Sequence, residues 1–291
     1  MLGEFNGAYL THNSLPKYPW LSRRRSLSWI HTPDSGGHET ASLVVRVANN
    51  SLRPVLDRFA PAVVNRGVEM LYGRSINLFR QEATWQDPAV QQAFPVPIAD
   101  RLLRLWEHRK KLMDALGHLP RTLCHLDAWN PNLFEAQGEK GHETTVALDW
   151  EFLGYGAIGE EIVQLVWCNL LYFKIDLAEA ALLEEIILDS YIQGLRKSGW
   201  QGDSRQVRLG YAASAALRWG LSAPGLSLAL HPDQQVLEEQ RWGRPAAKII
   251  KERAAMTYHL LDLADEAFKL IEEGVLNEVA RIERKGLSEC L

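Results

Sequence analysis

Cys124-His125-Leu126-Asp127-Ala128-Trp129-Asn130-Pro131-Asn132-Leu133-Phe134 is answered, after a polar interval, by Ala147-Leu148-Asp149-Trp150-Glu151. The first stretch reads H-x-D-x-x-x-x-N and runs into an apolar, strand-like segment. The second closes a β-branched run, Thr144 to Leu148, with an acid. Gln137-Gly138-Glu139-Lys140-Gly141-His142-Glu143 lies between them, and its glycines and polar residues are turn chemistry. Two apolar runs split this way predict a β-hairpin. The midpoint between Asn132 and Asp149 falls at Lys140/Gly141, inside the expected turn. A hairpin folded there sets Asn132 opposite Asp149, with Cβ atoms about 5 Å apart.

An amide oxygen and a carboxylate at that spacing can share one hard cation, and Mg²⁺ takes oxygen ligands. Asp127 sits five residues before Asn132, on the irregular entry to the first strand. It can reach over the same site without ligating the cation. Phosphoryl transfer needs this division: one acid receives the acceptor hydroxyl's proton, while an Asn and a second Asp hold metal on the phosphates.

H-x-D-x-x-x-x-N followed by an Asp on the next strand resembles the aminoglycoside and choline phosphotransferases, relatives of the protein kinases. Asp149-Trp150-Glu151-Phe152-Leu153-Gly154-Tyr155-Gly156-Ala157-Ile158-Gly159-Glu160-Glu161 is similar to the stretch that follows the metal Asp in that family. There an Asp usually opens the next helix; here the candidates are Glu160 and Glu161. The resemblance implies Asp127 as catalytic base, His125 as the brace of the catalytic loop, Asn132 and Asp149 as metal ligands, and Glu151 as an outer contact. It implies ATP and Mg²⁺ as cofactors and a small-molecule hydroxyl as acceptor. It covers roughly residues 1–230 and is strongest from Leu123 to Glu161.

At 291 residues, 46% hydrophobic and 23% charged, the chain is long enough for a sizeable core. A net charge of -4 implies no general attraction for nucleic acid. Cys124, Cys168 and Cys290 are widely spaced and odd in number, which is no disulfide framework and points to the cytoplasm. Met1 to Ser14 lacks the basic start and apolar centre of a secretory leader. The longest apolar run, Ile162 to Phe173, carries Gln164 and Asn169 and is too short to span a bilayer.

Periodicity predicts a short first helix over Leu2 to Leu10, with Leu2, Phe5, Tyr9 and Leu10 as its apolar set. Leu15 to Trp20 reads as a connector, Arg23-Arg24-Arg25 as a solvated basic cluster, and Ser26 to Ile30 as a helical turn. Thr32 to Gly37 reads as a loop, and Ser42 to Ala48 as a strand. Residues 31–98 are defined least by their pattern. A helix is expected from Asp100, as its cap, to Leu116. Further helices are expected over Glu160 to Phe173, from Asp176 to about Lys197, from Asp203, and over Pro245 to Glu273, with Gly220 to Pro232 as loop. Glu160, Glu161 and Asp176 read as helix-start charges favoured by the dipole. Trp106, Trp129, Trp150, Trp167 and Trp219 read mainly as packing, with Trp129 or Trp150 as a candidate lining of an acceptor pocket.

The fold expected is mainly α with a small β-hairpin (α+β), the large C-terminal lobe of a protein-kinase-like fold, over residues 1–291. The family's small N-terminal ATP-binding lobe is expected to be absent. Lys17, flanked by prolines, is the only lysine before Lys110, and Gly36-Gly37 lacks a G-x-G-x-x-G pattern. No nucleotide-binding residue is therefore identified, and the chain is read as truncated or as weak in ATP binding. Two other readings stand beside a small-molecule kinase. One is a non-catalytic lobe that binds a small molecule or partner. The other is a metal hydrolase using His125, Asp127, His142 and Asp149; imidazole ligands suit zinc or iron, whereas oxygen donors suit magnesium.

Overall fold

A computed structural model describes residues 1–18, 21, 75–137 and 143–276. Arg23–Arg25, the Ser26 turn, Gly36-Gly37, the Ser42–Ala48 strand, the hairpin's turn with His142, and Cys290 lie outside the described residues. The chain divides into two compact units: residues 1–24, 114–214 and 266–291, and residues 25–113 and 215–265. Among the described residues both are mainly helical, and the β structure lies in the first.

The first unit opens with the helix Leu2–Thr11. Its buried residues are Gly3, Asn6 and Gly7, not the expected apolar set. The helix crosses the Ala180–Lys197 helix at backbone distance, because small residues face each other. A Cβ at Gly3 would stand 2.1 Å from the Tyr191 carbonyl oxygen. One at Gly194 would stand 2.8 Å from the Glu4 nitrogen. Periodicity of large side chains cannot detect such a contact.

Four short strands follow: β1 (Arg121–Cys124), β2 (Leu133–Gln137), β3 (Glu143–Ala147) and β4 (Gly154–Ala157). β2 and β3 form the expected antiparallel hairpin, with Leu133 opposite Ala147 and Gln137 opposite Glu143. β1 and β4 form a second antiparallel pair that the sequence pattern did not reveal, with Arg121 opposite Ala157 and Cys124 opposite Gly154. The hairpin register differs by one residue from expectation. Leu148 N–H donates to the Asn132 carbonyl at 2.9 Å, so Leu148, not Asp149, lies opposite Asn132. With Gln137 opposite Glu143, every pair lies one position from the expected one.

The helix expected from Glu160 runs from Val163 to Leu171. It buries Trp167 and Leu170 completely, and a side chain that size contributes about 1.5–3 kcal/mol. Asp176 accepts from Ala178 N–H at 2.9 Å and caps a 3₁₀ turn that leads into Ala180–Lys197. A polar knot, buried at Trp167, Glu184 and Tyr211 and partly exposed at Arg208 and Glu266, ties the later helices. Tyr211 OH donates to Glu184 at 2.8 Å, Trp167 Nε1–H donates to the same hydroxyl at 3.0 Å, and Arg208 grips Glu266 through two bonds of 2.7 Å.

In the second unit, Asp87 caps Pro88–Ala93 through Ala89 N–H at 2.8 Å, with Pro88 in the first turn where it is tolerated. The expected Asp100–Leu116 helix is two helices, Ala99–Glu107 and Arg109–His118. The break at His108 has a local cause. His108 Nδ1 turns back to the Arg104 carbonyl at 3.0 Å, and Arg109 donates to the Trp106 carbonyl at 2.7 Å while lying over the Trp106 ring. The Arg104 carbonyl still accepts His108 N–H at 3.0 Å, whereas the Trp106 carbonyl, which a continuing ladder would use, accepts a side chain. Ile98 occupies the N-cap position, and Asp100 lies in the first turn without capping. Within Gly220 to Pro232, expected as loop, Gly220–Ser222 is 3₁₀ and Leu226–Leu230 is helical. Pro232 opens a helix to Trp242, and the last long helix is Ala246–Glu272.

Candidate active site

All the site's described side chains belong to the first unit. Between β1 and β2 the chain must turn sharply, and Leu126 takes a positive φ of 67° to do so. A residue with a side chain is strained there, so neighbours must hold it. Glu161, fully buried, does this. Its Oε2 accepts His125 N–H at 2.7 Å and its Oε1 accepts Leu126 N–H at 3.0 Å. A charged acceptor gives shorter, stronger bonds to backbone donors than a neutral one. Glu161 therefore clamps the loop rather than serving as a helix-start charge; the sequence shows an acid two residues before an apolar helix but not its partner. Glu160 turns to its own backbone, accepting Ala157 N–H at 2.7 Å.

His125 lies across the loop. Asp127 N–H donates to its Nδ1 at 3.2 Å, which leaves the proton on Nε2, and Nε2–H donates to the Leu148 carbonyl at 2.7 Å. Both ring nitrogens are engaged by backbone groups. Trp150 lies 4.4 Å from the imidazole, ring centre to ring centre, and is packed edge-on by Phe5. Leu148 is thus pinned twice, by His125 at its carbonyl and by Asn132 at its N–H. Asp149 comes next and leaves the ladder at φ 58°, ψ 63°. Its carboxylate is exposed and accepts no hydrogen bond or ion pair among the described residues.

Asp127 and Asn132 meet. Asn132 Nδ2 donates to the Asp127 carbonyl at 2.9 Å and to Asp127 Oδ2 at 2.9 Å. Four intervening residues, with a 3₁₀ turn over Asn130–Asn132, close the loop to make this possible. The other carboxylate oxygen, Oδ1, accepts Gln164 Nε2 at 3.2 Å. Gln164 is outside the H-x-D-x-x-x-x-N motif, and the sequence shows it only as a polar residue within an apolar run. Trp129 packs against Tyr172 at 5.1 Å. The backbone of Glu151 lies in a 3₁₀ turn, and its side chain is outside the described residues.

The support extends to the first helix. Asn6, fully buried, donates to the Leu123 carbonyl at 2.8 Å and to Glu161 Oε2 at 3.4 Å, and its Oδ1 accepts Tyr191 OH at 2.6 Å. Burial first, then the nearby Cys124 and Glu161, push the Tyr191 hydroxyl well above its ordinary value, against the opposing bond from Gly159 N–H. It stays a donor.

The chemistry available is that of hard oxygen donors beside a held carboxylate. Asn132 spends its NH₂ on Asp127, so its carbonyl oxygen is the atom left for a cation, and Asp149 offers an unengaged carboxylate. Both suit Mg²⁺. The described residues contain no group of three or more His, Cys, Asp or Glu placed to hold a metal. The engaged nitrogens of His125 argue against the imidazole-ligated alternative, and His142 is outside the described residues. No helix among them is long and apolar enough to cross a membrane.

Residues 56–197 match the model of a phosphotransferase enzyme family. The match covers just under half of the chain and contains His125, Asp127, Asn132, Asp149, Glu161 and Gln164. It supports a kinase-like phosphotransferase as the coarse reading. No curated protein and no solved structure matches the chain.

Proposed function

We propose that this chain is a kinase-type phosphotransferase that moves a phosphoryl group from ATP to the hydroxyl of a small molecule. The single observation that carries the reading is the double hold of Asn132 on Asp127, through backbone carbonyl and carboxylate, one pinned residue away from the unengaged Asp149. In this reading Asp127 accepts the acceptor hydroxyl's proton as the oxygen attacks the γ-phosphorus and ADP leaves. Asn132 and Asp149 hold Mg²⁺, which when bound neutralises phosphate charge. His125 and Glu161 keep the loop in its strained turn, so that Asp127 need not reorganise during the reaction. The cytoplasm suits the buried thiols of Cys124 and Cys168, which remain reduced there.

The test is Mg·ATP-dependent phosphoryl transfer by the whole chain, screened over amino alcohols, aminoglycosides and water as acceptors. Asp127→Ala lowers turnover about 10²–10⁴-fold, the usual worth of a general base, while Mg·ATP binding persists. Asp149→Ala removes Mg·ATP binding by calorimetry. Unchanged turnover in Asp127→Ala would defeat the assignment.

A further inference from the structure

Asp127 is held by two amides, and only Asn132 belongs to the motif that drew attention to the loop. Gln164 comes from a different element, the second position of the Val163–Leu171 helix, and is buried. Its Nε2 reaches Oδ1 of Asp127 at 3.2 Å. Its other end is fixed as well: Cys168 Sγ–H donates to Gln164 Oε1 at 3.1 Å. Cys168 lies four residues along the same helix, which places the two side chains one above the other. The thiol is a donor and the amide oxygen an acceptor. This contact therefore sets which way the amide faces and aims its NH₂ at the carboxylate.

A carboxylate held by one donor still rotates about Cβ–Cγ, because that torsion is broad. With Asn132 on Oδ2 and Gln164 on Oδ1, both ends of the carboxylate are fixed and its plane is set. We propose that Gln164 is a positioning residue for the Asp127 carboxylate, with Cys168 fixing the orientation of its amide. This rests on the reading of Asp127 as the base. Gln164 touches no substrate; it acts through Asp127 by preserving the orientation in which an oxygen meets the acceptor hydroxyl. Loss of orientation costs less than loss of the base and falls on the chemical step.

The experiment uses the full chain, with Mg·ATP hydrolysis and water as the acceptor. Gln164→Met keeps length and apolar packing but donates nothing. It lowers kcat about 10–100-fold and leaves KM for Mg·ATP within about twofold, as a positioning role requires. Cys168→Ala lowers kcat by a smaller factor, and Cys168→Ser, which keeps a donor, restores it. A Gln164→Met kcat within twofold of the parent overturns the proposal, as does an equal loss in Cys168→Ser and Cys168→Ala. Should Gln164→Met fail to fold, the two Cys168 variants decide.

A second readout needs no turnover. The Asn132 side-chain amide signals in a nitrogen–proton NMR spectrum shift and lose exchange protection in Gln164→Met, because the carboxylate they bind is released. They stay in place in Cys168→Ser. Unmoved Asn132 signals in Gln164→Met overturn the positioning role. Full activity in Asp127→Ala would instead remove the phosphotransfer reading, while the amide signals still report on the pair.

Discussion

Two charged networks in this molecule have nearly equal bond lengths and opposite surroundings. In the first unit, Glu161 accepts two backbone N–H groups at 2.7 and 3.0 Å and is fully buried. In the second, Arg101 donates to Asp262 at 2.7 Å and to Asp265 at 2.7 and 3.1 Å, and Arg104 adds a bond of 3.2 Å, all on side chains roughly one-third to two-thirds exposed. Distance does not separate them. What differs is the alternative when a partner is lost. At the surface, water replaces the missing atom. Around Glu161 nothing does, and a buried donor left unmade costs more than a made bond contributes.

The widest separation is expected from Glu161→Ala. It leaves two backbone donors of a strained turn without their acceptor. A loss of about 2–6 kcal/mol follows, from two orphaned groups at roughly 1–3 each. Urea unfolding followed by tryptophan fluorescence measures it. A loss below about 1 kcal/mol would erase the contrast between buried and exposed networks.

Next comes the packing beneath the same site. Gly3→Ala puts a methyl 2.1 Å from the Tyr191 carbonyl oxygen, where backbone must yield. Forcing the first helix away from its partner costs about 2–3 kcal/mol and loosens Asn6, which binds Leu123 and Glu161. Thermal unfolding of Gly3→Ala beside Gly117→Ala checks this, since a Cβ at Gly117 meets nothing within 4 Å. Equal losses at the two positions would deny the close approach.

Alkaline pH probes the buried side without mutation. Tyr191 and Tyr211 are both pushed well above the ordinary tyrosine value, first by burial and then by nearby negative groups, Glu184 among them for Tyr211. Each keeps its proton in the folded state at a pH where the unfolded chain has lost it. Their stabilisation is therefore complete below about pH 10 and lost above it, at about 1.4 kcal/mol per pH unit for each tyrosine. Urea midpoints between pH 9 and 11 show the fall, and Tyr211→Phe makes it shallower. A midpoint that rises across this range would reverse the sign and refute the burial of these hydroxyls.

The sequence made the local parts of this picture legible, and the reason is chemical. H-x-D-x-x-x-x-N encodes a loop whose ends meet through one amide, so Asp127 and Asn132 were found together. The hairpin was found from turn residues and β-branched flanks, but its register was not. Asp149 was placed opposite Asn132 because the turn was centred half a residue late, which is enough to change the pairing. Glu161 reads from sequence as a helix-start charge and as one of two candidates for the acid that opens the next helix, and Gln164 as a polar residue in an apolar run. Their importance depends on partners 35 to 37 positions away, which no local period encodes. The first helix was found, but its buried face was read from Leu2, Phe5 and Tyr9, whereas the contact uses glycines. The pair β1 and β4 escaped because four residues each, one strand rich in glycine, carry no alternation.

The smallest effect belongs to the exposed network. Exposed ion pairs contribute about 0.2–1 kcal/mol by double-mutant cycle. Arg101 and Asp262 belong at the upper end, because Asp265 already orients the guanidinium and the ordering cost is shared. A cycle on Arg101→Met and Asp262→Asn therefore gives a coupling of about 0.5–1 kcal/mol at low salt. It falls toward zero in 1 M NaCl, where the screening length is about 3 Å. The Glu161 bonds are closed to solvent ions, so the loss in Glu161→Ala stays the same in both salts. A surface coupling that survives 1 M salt, or a Glu161 loss that shrinks with it, would mean that access to water is not what distinguishes the two networks. The strained loop would then need another source for its hold on Asp127.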